Sequence, residues 1–174
     1  MKRVLVVVAA AGIAAAAALG GVSAWGASTS RASCNLLLLP PAAPAGQTTM
    51  FGYVKKLTRT GGRYLMRFDP TWFTSGLTAS VAHKEDTGSA DVPNDNYRID
   101  EGHRLLTYIV PTSARVTVLV NGTKGMCTTL ISVAELARIV NGKSKVKLFE
   151  PLQSGVWIRI RIDTVKELDQ QYQP

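Results

Sequence analysis

Histidine and cysteine are nearly missing from this 174-residue chain: it has His83 and His103, Cys34 and Cys127, and no others. It contains no Gly-x-Ser-x-Gly, His-Glu-x-x-His or Cys-x-x-Cys sequence and no phosphate-cradling P-loop. These absences remove the short motifs of serine hydrolases, zinc proteases, thiol oxidoreductases and nucleotide-binding loops. Acidic residues are also scarce, 12 against 20 basic ones, for a net charge of +8. No internal repeat is visible.

The few acids are concentrated. Glu85, Asp86, Asp91, Asp95, Asp100 and Glu101 lie within residues 85–101, with Arg98 the one base among them. The molecule therefore reads as a basic body carrying an acidic loop. Such a body suits polyanionic partners outside a cell, such as a cell-wall polymer, or another envelope protein. Solubility alone also accounts for it. No nucleic-acid partner is expected.

The N-terminus has the form of a secretory leader. Lys2 and Arg3 precede an apolar run from Val4 to Leu19, Gly20-Gly21 breaks it, and Val22-Ser23-Ala24 places small residues where a signal peptidase reads. Cleavage is expected after Ala24. The alternatives are a retained membrane anchor, since the run approaches the ~20 residues that span a bilayer, and lipidation at Cys34. The latter is disfavoured by Arg31 in the sequence before it. Residues 25–48 are rich in Pro and Ala and read as a tether. One domain is expected over residues 49–174, in an extracellular or envelope setting where Cys34 and Cys127 are free to form a disulfide.

Within the domain, residues 50–57 and 63–68 are expected strands joined through Gly61-Gly62. Tyr64, Met66 and Phe68 share one face of the second. Asp69-Pro70 reads as a helix start, predicting a helix over 70–84 with Trp72 and Phe73 as core anchors. Residues 88–103 follow as a long loop. Strands are expected at 104–110, 115–120, 127–131, 156–162 and 165–168. Ser132 to Glu135 has the form of a capping box opening a second helix that ends at Asn141-Gly142. The 156–162 stretch alternates, with Ile158, Ile160 and Ile162 inward. The class this predicts is α+β, with a strongly bent antiparallel sheet or small open β-barrel and two inserted helices. Asn121-Gly122-Thr123 is a turn and, in a eukaryotic secretory route, a glycosylation sequon.

Three kinds of site are drawn from these residues. Glu85, Asp86, Asn94, Asp95 and Tyr97 form a candidate ligand-binding loop, and the same loop carboxylates are the candidate acid/base pair of a small extracellular hydrolase. Asp91, Asp95, Asp100 and Glu101 supply hard oxygen ligands of the kind Ca²⁺ takes, although no EF-hand spacing is present. Arg63, Arg67, Arg159 and Arg161, near Lys55, Lys56, Tyr53 and Trp157 in the strand pattern, form a candidate polyanion face; the alternative is the solvated side of edge strands.

Phe68-Asp69-Pro70 with Trp72, Glu85-Asp86, Val92-Pro93-Asn94-Asp95-x-Tyr97, Leu106-Thr107, Trp157-Ile158 and the closing Gln171-Tyr172-x-Pro174 occur in a characteristic order. In that order, over residues 50–174, the chain resembles a family of small secreted or cell-surface proteins of actinobacteria and other Gram-positive bacteria. The resemblance implies that Asp69, Asp86, Asn94, Asp95 and Tyr97 are signature positions. It brings no activity or ligand with it. His83-Lys84 and Gly102-His103 depart from the family pattern. The function expected is that of a non-enzymatic binding module outside the membrane, with residues 85–101 as its contact surface.

Overall fold

A computed structural model describes residues 42–123 and 125–173. The expected leader, the tether up to residue 41 and Cys34 lie outside the described residues.

The chain enters through a turn closed by the Gln47 N–H on the Pro44 carbonyl (3.0 Å). Strand β1 (Thr48–Thr60) and strand β2 (Arg63–Pro70) then form the expected hairpin, with Thr60 opposite Arg63 at the Gly61-Gly62 turn. Tyr64, Met66 and Phe68 are buried together on one face of β2, as its alternation dictates.

The helix expected from Pro70 does not start there. Asp69 stays in the ladder opposite Tyr53, and its carboxylate meets Lys55 Nζ at 3.0 Å instead of capping a helix. After Thr71 the chain makes strand β3 (Trp72–Ser75), and only then helix α1 (Gly76–Thr87). The residues Thr-Trp-Phe-Thr explain the difference. Aromatic and β-branched side chains suit a pleated surface better than a helix. Helix α1 is weakly anchored: its only buried side chain is Ala79, and Leu77 is 81% exposed.

The segment expected as an unstructured loop is partly regular. A single 3-10 turn at Pro93–Asp95 leads to strand β4 (Asn96–Ile99), which pairs antiparallel with β3 in a separate two-stranded sheet. Strand β5 (Leu106–Pro111) then runs beside β2, and a turn at Pro111–Ala114 leads into strand β6 (Arg115–Gly122) and its hairpin partner β7 (Gly125–Ile131).

Helix α2 (Val133–Val140) sits where expected and adds Val133, Leu136 and Ala137 to the core. Its capping box is half made. Ser132 Oγ accepts the Glu135 N–H at 3.1 Å, but the Glu135 carboxylate turns to Arg138 and to Ser144 Oγ. Those two partners hold the Glu135 carboxyl below its ordinary value, Arg138 most strongly. Replacing Ser132 with alanine is expected to cost about 1 kcal/mol, read as a lower thermal midpoint with unchanged far-UV dichroism.

Strands β8 (Val156–Arg161) and β9 (Thr164–Gln170) complete the sheet. Its order is β5-β2-β1-β8-β9-β6-β7, and a further β5–β9 pairing closes β5, β2, β1, β8 and β9 into a five-stranded barrel. The expected α+β barrel with two helices is therefore what forms. Two features depart from the antiparallel expectation: β9 pairs parallel with both β5 and β6. Because β5 and β6 run the same way past β9, the Pro111–Ala114 turn bends one path rather than reversing it. Phe68, Met66, Val110, Val116, Val118, Ile158, Val165 and Leu168 fill the interior, as side chains do in a barrel this narrow. Ile162 is not among them. A register shift after Arg159 and a positive φ of 56° put it in the β8–β9 turn, 86% exposed.

Candidate functional site

The acidic residues do not converge. Asp86, at the end of α1, accepts a hydrogen bond from the Tyr97 hydroxyl at 2.9 Å. The His83 ring packs edge-on against Tyr97, and His83 Nδ1 lies 2.7 Å from the Ser89 carbonyl. This cluster ties α1 to β4. Asn94 and Asp95 sit at positive φ (58° and 55°) in the turn between them, where short polar side chains are tolerated. Glu85, Asp91 and Asp95 are exposed. Asp100 accepts the Gly102 N–H at 2.9 Å, and Glu101 pairs with His103 at 2.8 Å. Among the described residues no three His, Cys, Asp or Glu side chains gather in a way that would hold a metal ion. The four residues expected as calcium ligands, Asp91, Asp95, Asp100 and Glu101, are thus spread along the segment.

The Asp86–Tyr97 contact has a titration consequence. The hydrogen bond to Asp86, then burial, then the repulsion of its negative charge raise the Tyr97 phenol above 10.0. A raised tyrosine pKa favours the protonated folded form. The contribution is fully present below pH 10 and lost as pH rises through the higher, folded-state value. Tyrosinate absorbance should show two phenols ionising late, Tyr97 and Tyr108, the latter raised by burial and by Asp163, and Asp86→Asn should return only Tyr97 to the ordinary range. Superimposable titration curves for the two proteins would exclude the contact.

The four arginines of the expected polyanion face are split by the strand register. Arg67 lies opposite Lys56 and Arg159 opposite Thr49, on opposite flanks of β1. Seven residues of strand separate those positions, roughly 23 Å at strand rise. Arg67 donates to Thr107 Oγ1 at 2.8 Å. Arg159 is taken up by an ion pair with Glu167 and its side chain is only 12% exposed. Arg63 and Arg161 remain exposed. Arg115, 3.3 Å from Asp169, extends the internal ion-pair row across β8, β9 and β6. The sequence offered no sign of this row beyond its alternation of charge. Cys127 is buried and disulfide-bonded.

What sequence reasoning missed is a groove of about 760 Å³ where the barrel meets the β3–β4 hairpin. It is built from the barrel outward. Phe51 on β1 and Trp157 on β8 are register partners, and their rings lie 5.1 Å apart. Phe73 on β3 completes the cluster at 5.0 Å from Phe51 and 5.6 Å from Trp157. Trp157 Nε1 donates to Gln171 Oε1 at 2.7 Å, which fixes its indole. The Thr71 N–H donates to the Phe51 carbonyl at 3.0 Å and so docks β3 against the barrel. Trp72, next along, stands 60% exposed in the groove wall. Met50, Pro70 and Leu106 add apolar surface, and His103 and Arg104 form the rim.

Two polar atoms in this apolar lining are unusual. The hydroxyls of Thr49 and Thr71 are buried without a hydrogen-bond partner. Thr71 is 7% exposed. An unpaired buried hydroxyl costs about 1–3 kcal/mol, a cost that a purely structural position avoids by using valine. Two further cavities, of about 350 and 450 Å³, lie beside α2 and are smaller. Neither residue is the core anchor expected: Trp72 is exposed, and Phe73 is half-buried against Phe51 and Trp157 beside the groove.

The site thus belongs to a small β-barrel with an aromatic groove at one edge, a concave, mostly apolar surface with few polar groups, as small-molecule sites are. No protein-family model, curated protein or solved structure matches the chain.

Proposed function

We propose that this chain is a non-enzymatic binding module, acting outside the membrane as its leader-like N-terminus suggests, and that it takes up an apolar or amphipathic small molecule in the aromatic groove. The observation that carries the reading is the exposed Trp72 beside a buried, unpartnered Thr71 hydroxyl in the largest cavity described. An exposed indole leaves apolar surface in water, and a ligand laid against it removes that surface. The acidic segment keeps a part in this reading. Residues 85–101 include β4, whose pairing with β3 holds Trp72 and Phe73 in place, and the chain then runs directly into His103 and Arg104 at the rim. Of its carboxylates, Asp86 braces that wall through the Tyr97 hydroxyl on β4.

The test is a titration with N-phenyl-1-naphthylamine, an uncharged apolar fluorophore. Saturable enhancement with one equivalent per chain, accompanied by quenching of tryptophan emission, is the expected result. A linear, non-saturating response would overturn the proposal.

A further inference from the structure

Arg104 stands at the rim of the aromatic groove, is exposed, and has no hydrogen-bond or ion-pair partner among the described residues. The other basic side chain at the rim, His103, is engaged by Glu101 at 2.8 Å. Other cations near the barrel are engaged, Lys55 by Asp69, Arg67 by Thr107, Arg98 by the Tyr53 hydroxyl and Arg159 by Glu167, and the exposed Lys56, Arg63, Arg161 and Lys166 lie outside the groove lining. A free guanidinium next to a concave apolar surface is an incomplete recognition element. Guanidinium groups pair with carboxylates and phosphates through two parallel N–H donors. Past Arg104, the groove offers Leu106, Trp72, Phe73 and Trp157. Charge at one end and aromatic surface beyond it describe one class of molecule.

From this arrangement we infer that the groove binds an anionic single-chain amphiphile, with the carboxylate or phosphate at Arg104 and the apolar chain across Trp72, Phe73 and Trp157. The inference rests on the groove being the binding site and adds the identity of the head group. A groove of about 760 Å³ lies within the range that holds one molecule of drug-like size.

The experiment measures displacement of N-phenyl-1-naphthylamine by laurate, dodecyl phosphate and dodecanol, which share a chain and differ in head group. Laurate or dodecyl phosphate should compete at least tenfold better than dodecanol, the size expected of one charge-assisted hydrogen-bonded contact. Whichever anion is stronger shows whether the site takes a carboxylate or a phosphate head. Arg104→Gln should erase the advantage, read as the ratio of anion to dodecanol affinity within the same variant, and Arg104→Lys should restore part of it. Equal competition by dodecanol and both anions, with the fluorophore still bound, overturns the head-group inference and leaves the groove reading intact. Absence of fluorophore binding removes both. Loss of fluorophore binding in Arg104→Gln, with an unchanged melting curve, would place the arginine in the apolar contact itself and likewise overturn the inference.

Discussion

Gly52→Ala is expected to destabilise the protein by about 3 kcal/mol or more. A Cβ at this position would lie 2.1 Å from the Asp69 carbonyl oxygen and 2.8 Å from the Phe68 ring. The first contact is with backbone inside the β1–β2 ladder, where Gly52 faces Pro70 and Tyr53 faces Asp69. A carbonyl fixed in a ladder has no rotamer to escape into, so the strands themselves must part. Phe68, on the other side, is fully buried in the barrel interior. Typical domains hold only 5–15 kcal/mol in total, so the substitution removes a large share, equivalent to a fall of about 10 °C in midpoint. Urea melts should show a lower midpoint with an unchanged slope. A loss below about 1 kcal/mol would mean that the two strands have room to separate. The neighbouring residue is Phe51, whose carbonyl holds Thr71; any parting of the strands is therefore also felt in the groove.

Trp72→Ala should do the opposite, sparing stability and removing binding. At 60% exposure its indole contributes little to the fold, and thermal melts should move by only a degree or two. As part of the groove wall it presents a flat, rigid apolar face. The loss of such a contact costs about 1–3 kcal/mol, or roughly tenfold to a hundredfold in the affinity for N-phenyl-1-naphthylamine. Leu77→Ala is the control. Leu77 is more exposed still, yet lies outside the groove lining, and its removal should leave the affinity unchanged. Equal affinity of the Trp72 variant and the parent would place the binding surface elsewhere.

Much of the barrel could be read before its coordinates. The β1–β2 hairpin follows from alternation plus Gly61-Gly62, and α2 from Ser132, its apolar stripe and Asn141-Gly142. These signals are local, and local signals survive the fold. What was not legible depended on long-range pairing. Asp69-Pro70 fits a helix start by every short-range rule, but Asp69 faces Tyr53 across the sheet, and that pairing decides the matter. Ile162 continues the apolar alternation of β8, yet the register shift and turn beyond it throw it outward. The acidic cluster attracted attention because like charges close in sequence are conspicuous. The groove escaped it because Phe51, Phe73 and Trp157 are scattered through the sequence and meet only when β1, β3 and β8 are assembled. One available hint was Thr71-Trp72-Phe73-Thr74, whose β-branched and aromatic residues favoured a strand and hence the exposure of every second ring.

The position of β9 has a bearing on how the molecule reaches its shape. It pairs with β8, β5 and β6, and its first residue, Thr164, closes the ring opposite Ile109. The hairpins β1–β2 and β6–β7 bring together residues near in sequence, whereas closure waits for a strand more than fifty residues beyond its partner on β5. Loop-closure entropy must be met before such contacts return anything. Contact order thus favours the hairpins forming before the ring closes, and a chain cut before Thr164 is expected to lack the barrel. Until β9 arrives, the inward faces of β2 and β6 stay wet and the edges of β5 and β8 stay open. The slow, aggregation-exposed interval in the life of this protein therefore lies before the final seven-residue strand finds its place.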